Sequence, residues 1–283
     1  MINEKIEAGV VNRLLINRNT DYGFFLKANN EEEVLLPNAY ITDDMYLEDE
    51  IDVFIYHDSE DRIIATTQRP HAMLGEYGYF EVVNYQRYGA FVNWGLAKDL
   101  FVPLSQQKTY FNIGMKFILR VCLDKETGRL YATHKIGKFM VRDMKGLFKT
   151  QEVDIMIMAK TPLGYKAIVN NKYEGMIYEN EIFEKIKIGE KRKAYIKLVR
   201  KDFKLDLSLQ AIGKAKEGSL EDKVLEVLKY SNSAREFNYK SSPEDIHKTF
   251  NLSKKNFKKA LTLLLDKEMI KFEDNKIKMI TKQ

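Results

Sequence analysis

The spacing of hydrophobic and polar positions changes once along the chain, near residue 215. Before that point the apolar residues stand in short, mostly alternating runs, which Gly, Pro, Asn and Asp interrupt about every eight to twelve residues. Alternation is typical of half-buried strands, because successive side chains of a strand point to opposite faces. The pattern therefore predicts small all-β barrels for this part of the chain.

The C-terminal part has a helical period instead. SLEDKVLEVLKY, residues 219–230, places four apolar residues on one face behind a capping box of Ser219 and Asp222. A helical period of this length, with a start signal in front of it, predicts the first of several helices in the tail.

Two further helices and a hairpin are expected after it. Ser242 followed by Pro243 marks a second helix start, and the segment 253–269 carries a third apolar stripe. The alternating segment 269–280 has an Asp-Asn pair in its middle, which is typical of a turn, so it predicts a two-stranded wing. Three helices and a wing make a winged helix-turn-helix domain.

A repeat of about 66 residues divides the β-rich part. A Tyr-Gly-x-Phe motif and a later proline recur at this offset, and a third, degenerate copy begins near residue 161. The matched residues are Tyr22, Gly23, Phe25 and Pro37 in the first copy and Tyr88, Gly89, Phe91 and Pro103 in the second. The repeat predicts three five-stranded barrels in residues 1–70, 71–144 and 145–215, followed by the winged helix in 219–283.

Charge is unevenly distributed over these segments, although the net charge of the chain is only +5. The first barrel carries a net charge of −9, whereas the next two barrels and the tail carry +4, +6 and +4. Clustered cations favour polyanions, because their binding to phosphates releases counterions. The distribution indicates a nucleic-acid binder, with a solvated lysine-rich surface as the alternative.

Other classes of protein fit the sequence poorly. No apolar run reaches the length of about 20 residues that a membrane span needs, and the N-terminus resembles no secretion signal, so we expect a cytoplasmic protein. The four histidines have no ligand spacing, and the acidic segments 31–33 and 43–52 lack the spacing of a calcium loop. The lone Cys122 reads as a small hydrophobe in a strand. We therefore expect no metal, no cofactor and no catalysis.

The segment YQRYGAFVNWGLAKDLFVP, residues 85–103, combines aromatic rings with cations. A bulge at Gly89 is expected to turn the rings of Tyr88 and Phe91 onto one face, where unpaired bases can stack. The alternative is that both rings are ordinary β-formers, divided between core and surface. The available cations are Arg87, Lys98, Arg120, Arg129 and Lys135.

These motifs resemble the S-one (S1) RNA-binding domain, a five-stranded OB-fold barrel. The resemblance lies in YGAFV, in the GLAKDLFVP loop and in the late DKETGRLYATHK strand, and it implies base stacking on Tyr88 and Phe91 and an RNA contact from Arg129. The chain has Pro103 where many members place a histidine, and Phe101 or Trp94 is the expected substitute. The order of tandem S1-like barrels and a winged helix resembles the conserved virulence factor B family, which implies a cytoplasmic RNA-binding regulator of gene expression.

The tail offers a second candidate surface. Four lysines of the third helix, Lys254, Lys255, Lys258 and Lys259, share one side and could contact phosphates. Asn256 is the only neighbour of a type that discriminates bases, so backbone binding, a structural role or simple solvation are all open. Single-stranded RNA is the expected partner; the alternatives are a DNA-binding transcription regulator acting through the tail and an adaptor docking on the ribosome or RNA polymerase.

Overall fold

The computed structural model describes residues 1–182, 184–211, 220–231, 233–273 and 276–280, which form two compact units, Met1–Met140 and Val141–Gln283. Three five-stranded barrels precede three helices and a hairpin, so the predicted fold class is confirmed. The strands of each barrel lie within the segment predicted for it. The predicted cap residue Ser219 and the Asp-Asn turn of the wing lie outside the described residues.

The first barrel is closed, with strand order β1-β2-β3-β5-β4. Its strands are β1 (Val11–Thr20), β2 (Gly23–Lys27), β3 (Glu33–Pro37), β4 (Glu50–His57) and β5 (Ile63–Thr66). Inward positions of these strands carry aliphatic residues such as Leu14, Ile16 and Leu26, which are fully buried. This alternation is the pattern that the sequence displays.

The second barrel has the same strand sequence but stays open along one seam. Its strands are β6 (Tyr77–Gln86), β7 (Gly89–Asn93), β8 (Leu100–Pro103), β9 (Lys116–Leu123) and β10 (Leu130–Thr133), in the order β10-β9-β6-β7-β8. The sheet is not closed between β8 and β10, which form its two edges. A gap in the ladder at this seam leaves room for a cleft.

Gly89 does not form the predicted bulge, and that prediction is wrong. The bulge lies in β6, between Val82 and Asn84, and Gly89 pairs regularly with Gln86. Gly89 is required for another reason: a β-carbon there would collide with the carbonyl oxygen of Val102. Two further glycines make the same approach to the neighbouring strand, Gly23 against Leu36 and Gly164 against Ile177. The recurring glycine thus marks a close strand contact that no side chain fits.

The first two barrels share a hydrophobic core. Trp94 lies edge-on against Phe54 and Tyr56 of β4, at centroid distances of 5.9 and 6.4 Å. Its indole Nε1 donates a hydrogen bond of 2.6 Å to the carbonyl oxygen of Lys98. Trp94 is only 2% exposed. The expectation that Trp94 offers a ring to RNA is therefore corrected: it joins the two barrels.

The third barrel is closed, with the strand order of the first. It consists of β11 (Glu152–Thr161), β12 (Gly164–Val169), β13 (Tyr173–Tyr178), β14 (Lys191–Val199) and β15 (Lys204–Ser208). A bulge between Ile157 and Ala159 repeats the irregularity of β6. The third copy thus keeps the backbone of the repeat although its sequence has diverged.

The C-terminal domain contains α1 (Leu220–Tyr230), α2 (Pro243–Phe250), α3 (Lys254–Asp266), β16 (Ile270–Glu273) and β17 (Lys276–Met279). The predicted start of α2 is confirmed, because the Ser242 hydroxyl accepts a hydrogen bond of 3.1 Å from the amide of Asp245. Phe257 and Leu261 of α3 are fully buried against the other two helices and the wing. A winged helix is therefore the fold of the tail.

Candidate nucleic-acid interface

Two phenylalanine rings lie side by side on the outer face of the second barrel. Phe91 of β7 and Phe101 of β8 are directly opposite in the strand register, and their ring centroids are 5.2 Å apart. Both side chains are half-buried. Asn84 of β6 faces Phe91 from the other side and shares this outer face. Phe91 and Phe101 are called the aromatic pair below.

A cleft of about 490 Å³ opens beside the aromatic pair, at the seam between β8 and β10. Arg129 and Leu130 line it from the second barrel, and Tyr56, His57 and Asp61 line it from the first. A groove of about 320 Å³ continues past Phe91 toward Gln86 of β6. The two depressions share a wall, so they form one path across the outer face of the barrel.

The predicted cations Lys98 and Arg129 are both at this cleft, and both contact the first barrel. The guanidinium Nη2 of Arg129 lies 2.9 Å from a carboxylate oxygen of Asp61, and Arg129 is 57% exposed. The Lys98 ammonium donates to the carbonyl oxygen of Asp58 at 2.6 Å and lies 3.4 Å from Asp61. Positive charge at the cleft is thus held in place by acidic partners.

Burial shifts two titratable groups at the cleft. Burial, reinforced by the charge of Lys98, lowers the pKa of His57, so its imidazole is neutral at neutral pH. Burial also raises the pKa of Asp99, whose carboxylate lines both depressions. The cleft thus combines aromatic surface with a neutral imidazole and with the cations Lys98 and Arg129.

Tyr88 and Arg87 lie apart from the aromatic pair. Tyr88 is 70% exposed in the turn between β6 and β7, outside the cleft, and the Arg87 guanidinium carbon is 5.7 Å from its ring centroid. The predicted common face of Tyr88 and Phe91 is therefore not formed by a bulge.

The remaining predicted cations lie elsewhere on the second barrel. The Arg120 guanidinium carbon is 5.0 Å from the ring centroid of Tyr77 and 4.6 Å from that of Phe139, and Arg120 lines a separate groove together with Lys138. Lys135 is exposed two residues after the end of β10. The structure thus brings Lys98 and Arg129 to the cleft and leaves Arg120 with another surface.

The four predicted lysines of the winged helix lie in the first two turns of α3. Lys255, Lys258 and Lys259 are exposed, and the Lys254 ammonium lies 3.5 Å from the carbonyl oxygen of Lys240. The positive end of the helix dipole adds to their charge.

Sequence reasoning missed three residues of the site. Asp61 and His57 reach the cleft only because the first barrel docks on the second, which no local pattern reveals. Asn84 could have been found from the repeat. It stands 66 positions after Arg18, and the asparagine replaces a residue that could place a cation on a neighbouring ring.

In the described part of the chain, no helix is long and apolar enough to cross a membrane. The same residues contain no group of three or more His, Cys, Asp and Glu side chains that could hold a metal ion. Cys122 lies buried in β9, as predicted, and burial raises the pKa of its thiol.

Comparison with known proteins identifies two domains. Residues 8–68 match the model of the S1 domain, and residues 222–279 match that of the CvfB-like winged helix domain. The first match covers the acidic barrel, although the motifs that suggested the resemblance are most complete in the second barrel. Both ends of the predicted domain order are thus represented.

Relatives match along nearly the whole chain. YitL of Bacillus subtilis, described as uncharacterized, is 30% identical over 263 residues, which cover 89% of this chain and 87% of YitL. Conserved virulence factor B of Staphylococcus aureus is 25% identical over 270 residues, which cover 92% and 89%. A solved Streptococcus pneumoniae structure, described as a multidomain protein with nucleic acid binding domains, is 23% identical, covers 96% of this chain and 98% of its own, and has a TM-score of 0.41. By sequence and by domain content, the chain belongs to the conserved virulence factor B family.

Proposed function

We propose that this protein binds single-stranded RNA on the outer face of its second barrel and acts as a cytoplasmic, non-catalytic regulator of gene expression at the RNA level. One observation carries the proposal: the aromatic pair lies at a cleft that also holds Lys98 and Arg129. Stacking of a base on an aromatic side chain contributes about 1–3 kcal/mol with little sequence preference. Adjacent cations would hold the phosphates.

The shape of the site favours unpaired nucleotides over a duplex. The rings of Phe91 and Phe101 are half-buried beside a cleft, so a base must leave its stack to contact them. Bases in single strands do so readily, whereas bases in a duplex are already paired and stacked. An A-form or B-form helix would meet this surface with its backbone only.

Polar groups beside the rings could read the edge of a base. The Asn84 side-chain oxygen accepts a hydrogen bond of 2.7 Å from the backbone amide of Tyr85. The side-chain amino group of Asn84 therefore remains as a donor for a base. Gln86 lines the same groove. Amide side chains offer donors and acceptors in the geometry of a base edge, so these two residues are candidates for modest sequence preference.

The exposed lysines of α3 support a second candidate function, binding of duplex DNA by the winged helix. Helices of winged domains enter the major groove, and Lys255, Lys258 and Lys259 would contact phosphates there. Phosphate contacts position a protein on DNA without selecting a sequence. An adaptor role on the ribosome or RNA polymerase would use the same surfaces for protein contacts.

Binding assays with single-stranded RNA and duplex DNA at two salt concentrations test the proposal. We expect a preference for RNA, which the double variant Tyr88→Ala/Phe91→Ala loses and the triple variant Lys255→Gln/Lys258→Gln/Lys259→Gln keeps. Loss of all nucleic-acid binding in the lysine variant, with normal binding by the double variant, would favour the DNA-binding function. Binding of neither nucleic acid would favour the adaptor.

A further inference from the structure

The hairpin between β4 and β5 of the first barrel, residues 58–62, ends at the mouth of the cleft. We call it the acidic hairpin. Asp58 holds its shape: one carboxylate oxygen accepts hydrogen bonds from the amides of Glu60 and Arg62, at 2.8 and 3.0 Å. Asp61 adopts a left-handed backbone with φ +63°, which aspartate tolerates better than most residues. The turn therefore fixes the position from which the Asp61 side chain extends.

Both carboxylate oxygens of Asp61 face cations of the second barrel. Oδ2 lies 2.9 Å from Nη2 of Arg129, and Oδ1 lies 3.4 Å from Nζ of Lys98. A lysine and an arginine converging on two oxygens of one anion is the arrangement that also suits the two non-bridging oxygens of a phosphate diester. The carboxylate thus stands at an anion subsite beside the aromatic pair.

This pairing across barrels is not a consequence of the repeat. In the first barrel the equivalent arginine, Arg62, pairs within its own hairpin with Asp58 at 2.7 Å. In the second barrel Asp124 accepts hydrogen bonds from the backbone amides of Glu126 and Thr127, and Arg129 reaches Asp61 instead. The second barrel keeps the aspartate turn but directs its arginine to the neighbouring barrel.

We propose that Asp61 occupies a phosphate subsite of the second barrel, so that the nucleic-acid backbone must displace the acidic hairpin from Lys98 and Arg129 in order to bind. The inference rests on the proposed function, since it concerns the same cleft. The hairpin then acts as an internal competitor. It restrains the affinity of the cleft for weakly matched strands and gives way when stacking on the aromatic pair adds to the phosphate contact.

The variant Asp61→Asn tests the proposal in the full chain. Exposed ion pairs couple by about 0.2–1 kcal/mol, so we expect this variant to bind a short single-stranded RNA of random sequence about 1.4- to fivefold more tightly. Glu60→Gln is the matched control, because this substitution removes the same charge one position away. Glu60 is 71% exposed and contacts Arg62 at 2.8 Å. We expect the control to bind as the unmodified protein does.

Salt dependence and a second background sharpen the test. Because the displaced hairpin leaves Lys98 and Arg129 to the phosphate in the unmodified protein as well, Asp61→Asn is expected to change the slope of log affinity against log salt by less than the value of one phosphate contact, about 0.7. The gain is expected to vanish when Arg129→Gln is present as well. Equal effects of Asp61→Asn and Glu60→Gln, weaker binding by Asp61→Asn, or a gain that survives Arg129→Gln would each overturn the proposal.

The variant Phe91→Ala separates the two proposals. If it weakens RNA binding while Asp61→Asn leaves the affinity unchanged, the cleft binds RNA and the proposal that RNA displaces the acidic hairpin is wrong. If Phe91→Ala leaves the affinity unchanged, the proposed function of the aromatic pair fails on its own.

Discussion

The first and second barrels share a backbone but fill the same surface position differently. In the first barrel the Arg18 guanidinium carbon lies 3.7 Å from the ring centroid of Phe25, and Arg18 is tied to Glu33 at 2.8 Å. In the second barrel the residue facing Phe91 is Asn84, which carries no cation to cover the ring. A cation–π contact occupies the face of the first ring that a base would need.

The ring partner differs as well. Phe25 faces Leu35 across the strand pair, whereas Phe91 faces Phe101. The second barrel therefore offers two adjacent rings, and the first offers one that is already occupied. The repeat thus keeps its strands while the side chains at two positions, Arg18 or Asn84 and Leu35 or Phe101, change what surrounds the ring.

The third barrel represents a third outcome. The position of Phe91 is taken by Lys166, which pairs with Met176 in the strand register and lies 3.5 Å from Glu174. With no ring at this position, base stacking of the kind proposed for the second barrel is not possible there. At the position of Phe91 the third barrel therefore offers a cation in place of an aromatic ring.

The largest expected effect concerns the contact that joins the two barrels compared. Trp94 fills the shared core, whereas its equivalent in the first barrel, 66 positions earlier, is Ala28. Trp94→Ala is expected to lower the free energy of unfolding of residues 1–140 by about 3–5 kcal/mol, because it leaves a cavity between the barrels. Chemical unfolding followed by circular dichroism measures the change. Tyr22→Ala, at an exposed ring, is the control and is expected to change little.

The next largest effect is expected when the arginine–ring contact of the first barrel is introduced into the second. Asn84→Arg/Asp99→Glu places the equivalents of Arg18 and Glu33 beside Phe91. We expect RNA affinity to fall by about 1–3 kcal/mol, the contribution of one stacked base, although the new arginine adds positive charge. Val83→Arg, which adds the same charge at the neighbouring bulge, is expected to leave the affinity unchanged or to increase it. Tighter binding by both variants would show that charge, and not access to the ring, determines the affinity.

The smallest effect is expected from the reverse change. Arg18→Asn uncovers Phe25, but the first barrel carries a net charge of −9 and lacks the second ring. We therefore expect a gain in RNA affinity of less than about threefold, within the range of an exposed electrostatic change. A gain as large as the loss in Asn84→Arg/Asp99→Glu would mean that the arginine–ring contact alone distinguishes the two barrels.

The sequence predicted the repeated barrels and the winged helix because their signals are local. Strand alternation, turn residues and the cap at Ser242 depend on neighbours in the chain, and they are where the structure confirms the prediction. The spacing of Tyr88 and Phe91 does not mark a bulge, since Tyr88 lies in the turn and β7 begins only at Gly89. The irregularity that aligns the outer face is in the partner strand, where no glycine or proline marks it.

Contacts between barrels could not be predicted in the same way. The sequence pattern is compatible with Trp94 on the surface or in the core. Only the contact with Phe54 of the first barrel shows that the ring is buried. The pairing of Arg129 with Asp61 joins residues 68 positions apart in different repeats. Such contacts depend on how two folded barrels meet, and the alternation within each strand carries no information about that arrangement.

Cross-linking of a bromouridine-substituted single-stranded RNA to the full chain, followed by mapping of the attached peptides, tests the central claim most directly. The account predicts cross-links in residues 85–103, which contain Phe91 and Phe101, and none at Phe25, whose ring Arg18 covers. Cross-links confined to the peptide of Phe25, or to the lysines of α3, would contradict it.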